Sequence, residues 1–149
     1  MKKVLLATAL FIGSMIYTSA GAQVRVSIHA NIGNQPNWGP VGYDYAQFYY
    51  LPDLDIYYDV QAQQFVYFNR GHWVYTKVLP AGYRNYDLYS GYKVVINDQR
   101  PYMRHDFYKN RYRGYRNFRN HQVIIRNSRD PRYVQCNNHR NDYVVVVRR

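Results

Sequence analysis

The chain is organised as short runs in which apolar and polar residues alternate. In the first run, residues 23–32, valine, isoleucine and alanine occupy the even positions and polar side chains occupy the odd ones. A period of two is typical of a half-buried β-strand, so this run predicts a strand. A loop rich in glycine, proline and asparagine follows at residues 33–42, with Trp38 at its centre.

Four apolar and aromatic runs come next, at residues 45–51, 55–60, 65–69 and 72–76. Their connections are so short that the runs predict an antiparallel meander. The last connection contains Gly71, which can adopt the positive φ that a tight hairpin needs. Within residues 55–60, the alternation places Ile56 and Tyr58 on one face and Tyr57 on the opposite, polar face.

The pattern changes after residue 78. Leu79-Pro80 ends the meander, and tyrosines spaced three apart in residues 82–90 predict a short helix that stops at Gly91. Residues 92–96 return to a strand pattern, and two apolar pieces at 123–125 and 143–147 could each add a strand. The predicted fold is therefore mainly β: a small antiparallel sheet with one short helix and a basic, partly ordered C-terminal segment.

The N-terminus has the three parts of a secretory signal peptide. Lys2 and Lys3 precede an apolar run at residues 4–16, and Ala20-Gly21-Ala22 supplies the small residues at which signal peptidase cleaves. The run is too short for a transmembrane span, which needs about 20 residues. We therefore expect a mature chain that begins at Gln23, has no transmembrane segment, and is exported to the periplasm, the cell surface or the medium.

Composition and charge refine this division. The chain has 19 tyrosines and no glutamate, and aromatic and β-branched residues favour strands. Residues 23–99 carry a net charge of −1, whereas residues 100–149 carry +10. Such asymmetry predicts a neutral aromatic β domain at 23–99, followed at 100–149 by a basic segment rich in tyrosine and arginine.

Part of the pattern matches other proteins. The matching stretches are residues 38–45, 48–58 and 65–92, and they include the motifs Trp38-Gly39-Pro40-Val41-Gly42, Gly71-His72-Trp73-Val74 and Tyr86-Asp87-Leu88-Tyr89-Ser90-Gly91-Tyr92. In these stretches the chain resembles a group of small secreted proteins of uncharacterised function that is common in Bacteroidetes. The resemblance implies secretion, but it transfers no activity and no site residues.

Enzymatic and metal chemistry find little support in the sequence. The five histidines are scattered without the spacing of a zinc site. Cys136 is the only cysteine, which excludes an internal disulfide and a c-type haem site, and its asparagine-rich surroundings lack a nucleophile motif. Asp53, Asp55 and Asp59 are explained by a solvated strand face. We predict no catalytic residue, no metal site and no cofactor.

The basic segment carries the densest functional signal, because arginine and aromatic residues alternate within it. Guanidinium groups donate paired hydrogen bonds to phosphate and carboxylate, and aromatic rings stack on sugars or bases. Export argues against nucleic acid and favours an anionic glycan, lipopolysaccharide or another envelope protein as partner. The alternatives are a cell-wall or polysaccharide hydrolase, a structural scaffold, or a solvated surface without a ligand. The predicted polyanion-binding residues are Arg104, Lys109, Arg111, Tyr112, Arg113, Tyr115, Arg116, Phe118 and Arg119.

Overall fold

The computed structural model describes residues 30–134, which contain a five-stranded antiparallel sheet. Its strands lie in the order β4-β3-β2-β1-β5, so the meander is followed by a return of the chain to the free edge of β1. The bounds are β1 Phe48–Leu51, β2 Ile56–Asp59, β3 Gln64–Asn69, β4 His72–Thr76 and β5 Val94–Ile96. The predicted mainly β, antiparallel fold is confirmed.

The β3–β4 hairpin forms at the turn that the sequence indicated. Asn69 pairs with His72, and the two residues between them, Arg70 and Gly71, have φ values of 48° and 87°. Positive φ at both central positions belongs to the tight turn whose twist matches that of paired strands. Gly71 adopts this backbone without the steric penalty that a side chain would add.

Both faces of the central strands β1 and β2 are buried, which corrects the prediction of one polar face. Tyr49, Leu51, Ile56 and Tyr58 belong to a buried cluster on the first face. A second buried cluster on the opposite face contains Tyr57, which is fully buried. The alternation was correctly predicted, but aromatic rings on both sides let this sheet bury both faces.

Each face is covered by a different part of the chain. Trp38 and the segment 79–95 pack on the first cluster, and residues from the basic segment pack on the second. Tyr102 and Tyr108 are themselves members of that second cluster. Part of the basic segment therefore belongs to the same hydrophobic core as the sheet.

The short helix of the fold, α1, spans His105–Arg111 and not the predicted residues 82–90. Residues 82–90 contain only the end of a 3-10 turn, Ala81–Tyr83, and further turns. A second 3-10 turn, Pro101–Arg104, leads directly into α1. Proline at the start of a helical segment and acidic-to-basic polarity along α1 both favour a helix there.

Residues 100–134 add no strand to the sheet within the described part of the chain. The predicted strand at 123–125 is a single bridge between Ile124 and Pro40, followed by the 3-10 turn Ile125–Asn127. Tyr133 is buried, and its hydroxyl accepts hydrogen bonds from the backbone N–H groups of Gly42 (2.9 Å) and Tyr43 (3.1 Å). This pairing joins the two ends of the described region.

Several predictions lie outside the described residues. They are the signal peptide at 1–22, the strand at 143–147, and Cys136. The first predicted strand, 23–32, also lies outside except for its last three residues. These three are not in a strand, because the 3-10 turn Ile32–Asn34 begins there.

Candidate functional site

Much of the predicted polyanion-binding set is engaged by the protein's own carboxylates. Asp55, in the turn between β1 and β2, is the centre of this arrangement. Arg116 Nη2 lies 2.7 and 2.6 Å from its two carboxylate oxygens, and Lys109 Nζ lies 2.9 Å from one of them. These two cations hold the basic segment against the sheet.

The environment of Asp55 keeps its carboxylate charged. Burial raises the pKa of Asp55, but hydrogen bonds from Lys109, Arg116 and the Tyr50 hydroxyl outweigh this effect and leave the pKa below its usual value. A charged carboxylate with two cationic partners and a phenol donor has no spare hydrogen-bonding capacity for catalysis.

Asp53 makes a second set of contacts with the basic segment. It accepts hydrogen bonds from the Tyr86 hydroxyl (2.7 Å) and the Asn117 backbone N–H (2.6 Å), and Arg119 Nε lies 3.5 Å away. The side chain of Asp53 is almost completely buried. The interpretation of this acidic cluster as a solvated face is therefore wrong for Asp53 and for Asp55.

Arg104 is the fourth paired member of the predicted set. Its Nη1 lies 3.1 Å from a carboxylate oxygen of Asp98, and its guanidinium carbon lies 4.9 Å from the centre of the Phe107 ring. Both partners of this ion pair are solvent-accessible, so the contact contributes only about 0–1 kcal/mol.

Two predicted cations remain without such a partner. Arg111 and Arg113 are exposed, and their side chains form no hydrogen bond or ion pair with any residue in the described range 30–134. The Arg111 guanidinium carbon lies 5.8 Å from the centre of the Tyr112 ring. Beside them in the chain, the partly exposed rings of Tyr115 and Phe118 lie 6.1 Å apart between centres. We call the exposed side chains of this short stretch, Arg111, Arg113, Tyr115 and Phe118, the cationic face.

The rings of the cationic face rest on further rings. Tyr115 stacks on Tyr92 with their centres 4.5 Å apart, and Phe118 stacks on His121 at 3.7 Å. Tyr112, also in the predicted set, is half-buried and parallel to Tyr108, with 6.3 Å between the ring centres. This packing holds the exposed rings in fixed positions, as a binding surface requires.

A groove between β3, β4 and α1 is a feature that the sequence did not indicate. It consists of two neighbouring hollows of about 560 and 520 Å³, within the size range of small-molecule sites. Phe68 and His105 line both hollows, and we call the whole the β3–α1 groove. The first hollow is further lined by Trp73, Met103 and Phe107, and the second by Asn69, Tyr83 and Lys109.

His105 lies where the two hollows meet. Its Nδ1 is 3.2 Å from the Tyr57 hydroxyl, and its ring packs edge-on against Trp73 with 5.5 Å between centres. Burial, more than the neighbouring charges, lowers the pKa of His105 and favours the neutral imidazole. Nε2 has no hydrogen-bond partner among residues 30–134.

Among residues 30–134, no three histidine, cysteine or acidic side chains lie close enough together to hold a metal ion. Lys93 is fully buried, and its ammonium group donates a 2.8 Å hydrogen bond to the Leu88 carbonyl. Burial lowers the pKa of Lys93 to about 8.

Comparisons with known proteins add no functional assignment. Neither a protein-family model, nor a curated protein, nor a solved structure matches this chain. In the described part of the chain, every helix is too short or too polar to cross a membrane. The argument for function therefore rests on the geometry of the cationic face and the groove.

Proposed function

We propose that this protein is an exported, non-enzymatic envelope protein that binds an anionic glycan or lipopolysaccharide through the cationic face. The observation that carries the proposal is the pair of exposed side chains Arg111 and Arg113, which lie within a few residues of the supported rings of Tyr115 and Phe118 in the chain. Guanidinium donates two parallel hydrogen bonds to a carboxylate or phosphate. The adjacent rings offer flat apolar surfaces on which a sugar ring can pack.

Only some of the predicted polyanion-binding residues are available to an external anion. Arg104, Lys109, Arg116 and Arg119 already contact aspartates, so an external anion would have to compete with those contacts. Arg111 and Arg113 are free of this competition in the described region. The choice of a glycan over nucleic acid rests on the export that the sequence of residues 1–22 predicts.

A hydrolase gains no support from the acidic residues. Catalysis by paired carboxylates needs one protonated acid and one free base or nucleophile. Asp53 and Asp55 are instead occupied by arginine, lysine and phenol groups. This leaves binding as the function that the geometry supports best.

The test is retention of the mature protein on immobilised heparin and on lipopolysaccharide, eluted by a salt gradient. The double variant Arg111→Gln/Arg113→Gln should elute at lower salt than the parent. An exposed ion contact contributes about 0.2–1 kcal/mol, so losing two should weaken binding by about 2- to 30-fold.

The matched control is Arg70→Gln/Arg84→Gln, which removes the same charge from exposed positions outside the basic segment. If both double variants elute together, retention depends on net charge alone and the cationic face is not the site. Truncation at Arg100 is unsuitable as a test, because it would remove the core residues Tyr102 and Tyr108.

A further inference from the structure

The β3–α1 groove combines exposed rings with polar groups that have no partner among residues 30–134. Phe68 is 56% exposed and Phe107 is 48% exposed, and both line a groove that also contains the buried Tyr102. Large rings exposed around a concave surface are unusual for a surface that has no ligand, because exposed apolar patches of this kind typically mark binding sites.

The rings are held in fixed orientations by contacts beneath them. Phe68 lies 5.2 Å from Trp73, measured between ring centres, and Trp73 lies 5.3 Å from the buried Tyr102. On the opposite side, the Arg104 guanidinium covers the Phe107 ring. Rings that are already ordered lose little entropy when a ligand packs on them.

The charges lining the groove balance. Arg104 and Lys109 supply two positive groups, and Asp55 and Asp106 supply two negative groups. A groove without net charge gives no electrostatic preference for an anion, in contrast to the cationic face. This balance favours an uncharged ligand.

The polar groups of the groove suit hydroxyl groups. Neutral His105 has Nε2 free of any partner in the described region, and Asn69 and Tyr83 line the second hollow with an amide and a phenol. Each can donate or accept a hydrogen bond, as a sugar hydroxyl also can. Two successive hollows fit a chain of sugar units better than one compact molecule.

We propose that the β3–α1 groove is a second binding site, distinct from the cationic face, and that it binds a neutral oligosaccharide. Sugar rings pack on Phe68, Trp73 and Phe107, and hydroxyl groups hydrogen-bond to His105 and to the amide of Asn69. The proposal does not depend on polyanion binding, because it uses none of the residues that define the cationic face.

The test uses native affinity electrophoresis of the mature protein through gels containing dextran, laminarin or a soluble yeast mannan. At least one polymer should retard the protein. Phe68→Ala and Phe107→Ala should each weaken retardation by about tenfold, the effect of losing one stacked ring. Intrinsic fluorescence should change with the same polymer and lose that change in Trp73→Phe.

Phe118→Ala is the matched control, because that ring is 40% exposed but lies on the cationic face. It should leave retardation by the neutral polymer unchanged, as should Arg111→Gln/Arg113→Gln. The proposal is overturned if none of the three polymers retards the parent, or if Phe68→Ala and Phe118→Ala behave alike. It is also overturned if sedimentation shows a dimer that Phe68→Ala dissociates, because the groove would then be an interface between two copies.

The two proposals fail separately. Loss of heparin retention in Arg111→Gln/Arg113→Gln with no neutral-polymer binding by the parent would leave only the cationic face. Neutral-polymer binding that depends on Phe68, with heparin retention unaffected by the double variant, would leave only the groove.

Discussion

Alkaline pH should unfold this protein through its buried tyrosines. Burial is the main cause that raises the pKa of each hydroxyl above its usual value, to about 12 for two of them. The unfolded chain loses these protons near pH 10. Above that pH the folded state holds more protons than the unfolded state, so its stability falls as pH rises. The five side chains are Tyr49, Tyr50, Tyr57, Tyr102 and Tyr108.

The size of the loss follows from the same linkage. At pH 11, each hydroxyl that stays neutral in the folded state lowers the free energy of unfolding by about 1.4 kcal/mol. The reason is that pH 11 lies about one unit above the pKa of tyrosine in the unfolded chain. Five such groups cost about 7 kcal/mol. The whole free energy of unfolding of a domain is about 5–15 kcal/mol, so the loss is a large part of it.

Lys93 acts in the opposite direction at lower pH. Its pKa is about 8 in the folded protein against an ordinary value of 10.5, so between these values the unfolded state binds more protons. Stability therefore rises with pH in that window, by about 3 kcal/mol when complete. Combining both effects, we expect a rise of about 1 kcal/mol from pH 7 to 9.5 and a fall of about 5 kcal/mol from pH 9.5 to 11.

The assay is urea unfolding followed by far-ultraviolet circular dichroism between pH 7 and 11, with tyrosinate absorbance recorded in parallel. Tyr49→Phe should be less stable at pH 7 by about 1–2 kcal/mol, because Tyr49 donates a 2.9 Å hydrogen bond to Gln35 Oε1. At pH 11 this difference should shrink by about 1.4 kcal/mol.

Tyr83→Phe is the control for the substitution itself, because that ring is 42% exposed, and it should change stability at pH 7 by less than about 0.5 kcal/mol. The reasoning is refuted if the parent is as stable at pH 11 as at pH 9.5. It is equally refuted if tyrosinate absorbance appears fully while the circular dichroism remains that of the folded protein.

Three further substitutions test individual contacts by the same unfolding measurement. Asparagine at position 55 tolerates the φ of 56° but loses the ion pairs with Lys109 and Arg116. Asp55→Asn should therefore lower the free energy of unfolding by about 1–3 kcal/mol at pH 7 and by less towards pH 3. An equal loss in Asp59→Asn would contradict this. Lys93→Met should be more stable than the parent by about 2 kcal/mol at pH 7 and less stable at pH 10.5, and a constant difference would refute the assigned pKa. Gly71→Ala should cost about 1 kcal/mol because φ is 87°, whereas Gly82→Ala should be nearly neutral; equal effects would contradict the turn geometry.

The meander could be predicted because its signals are local. Alternation within residues 55–60 and the turn at Arg70-Gly71 are set by neighbouring residues, and the structure has β2, β3 and β4 in those places. The depth of burial could not be predicted in the same way. Tyr57 has the same local pattern whether its face is solvated or covered, and only the packing of α1 decides between them.

The functional assignment of the basic segment was limited for the same reason. Arginine and tyrosine alternate in the sequence without indicating which cations meet Asp53 and Asp55, because those partners are about 60 residues away. The groove could not be predicted from the sequence either, because Phe68 and Phe107 line the same cavity only when α1 packs on the sheet. Long-range contacts of this kind have no signature in a single sequence.

The contact of Tyr133 with Gly42 and Tyr43 has a consequence for the order of folding. The backbone N–H groups of residues 42 and 43 donate to a hydroxyl that lies about 90 residues further along the chain. Closing so long a loop carries an entropic cost before any contact repays it, so we expect this contact to form late in folding. If the chain leaves the cell from its N-terminus, it crosses the membrane almost entirely before this closure is complete. Residues 42 and 43 would then reach the far side of the membrane well before the Tyr133 hydroxyl.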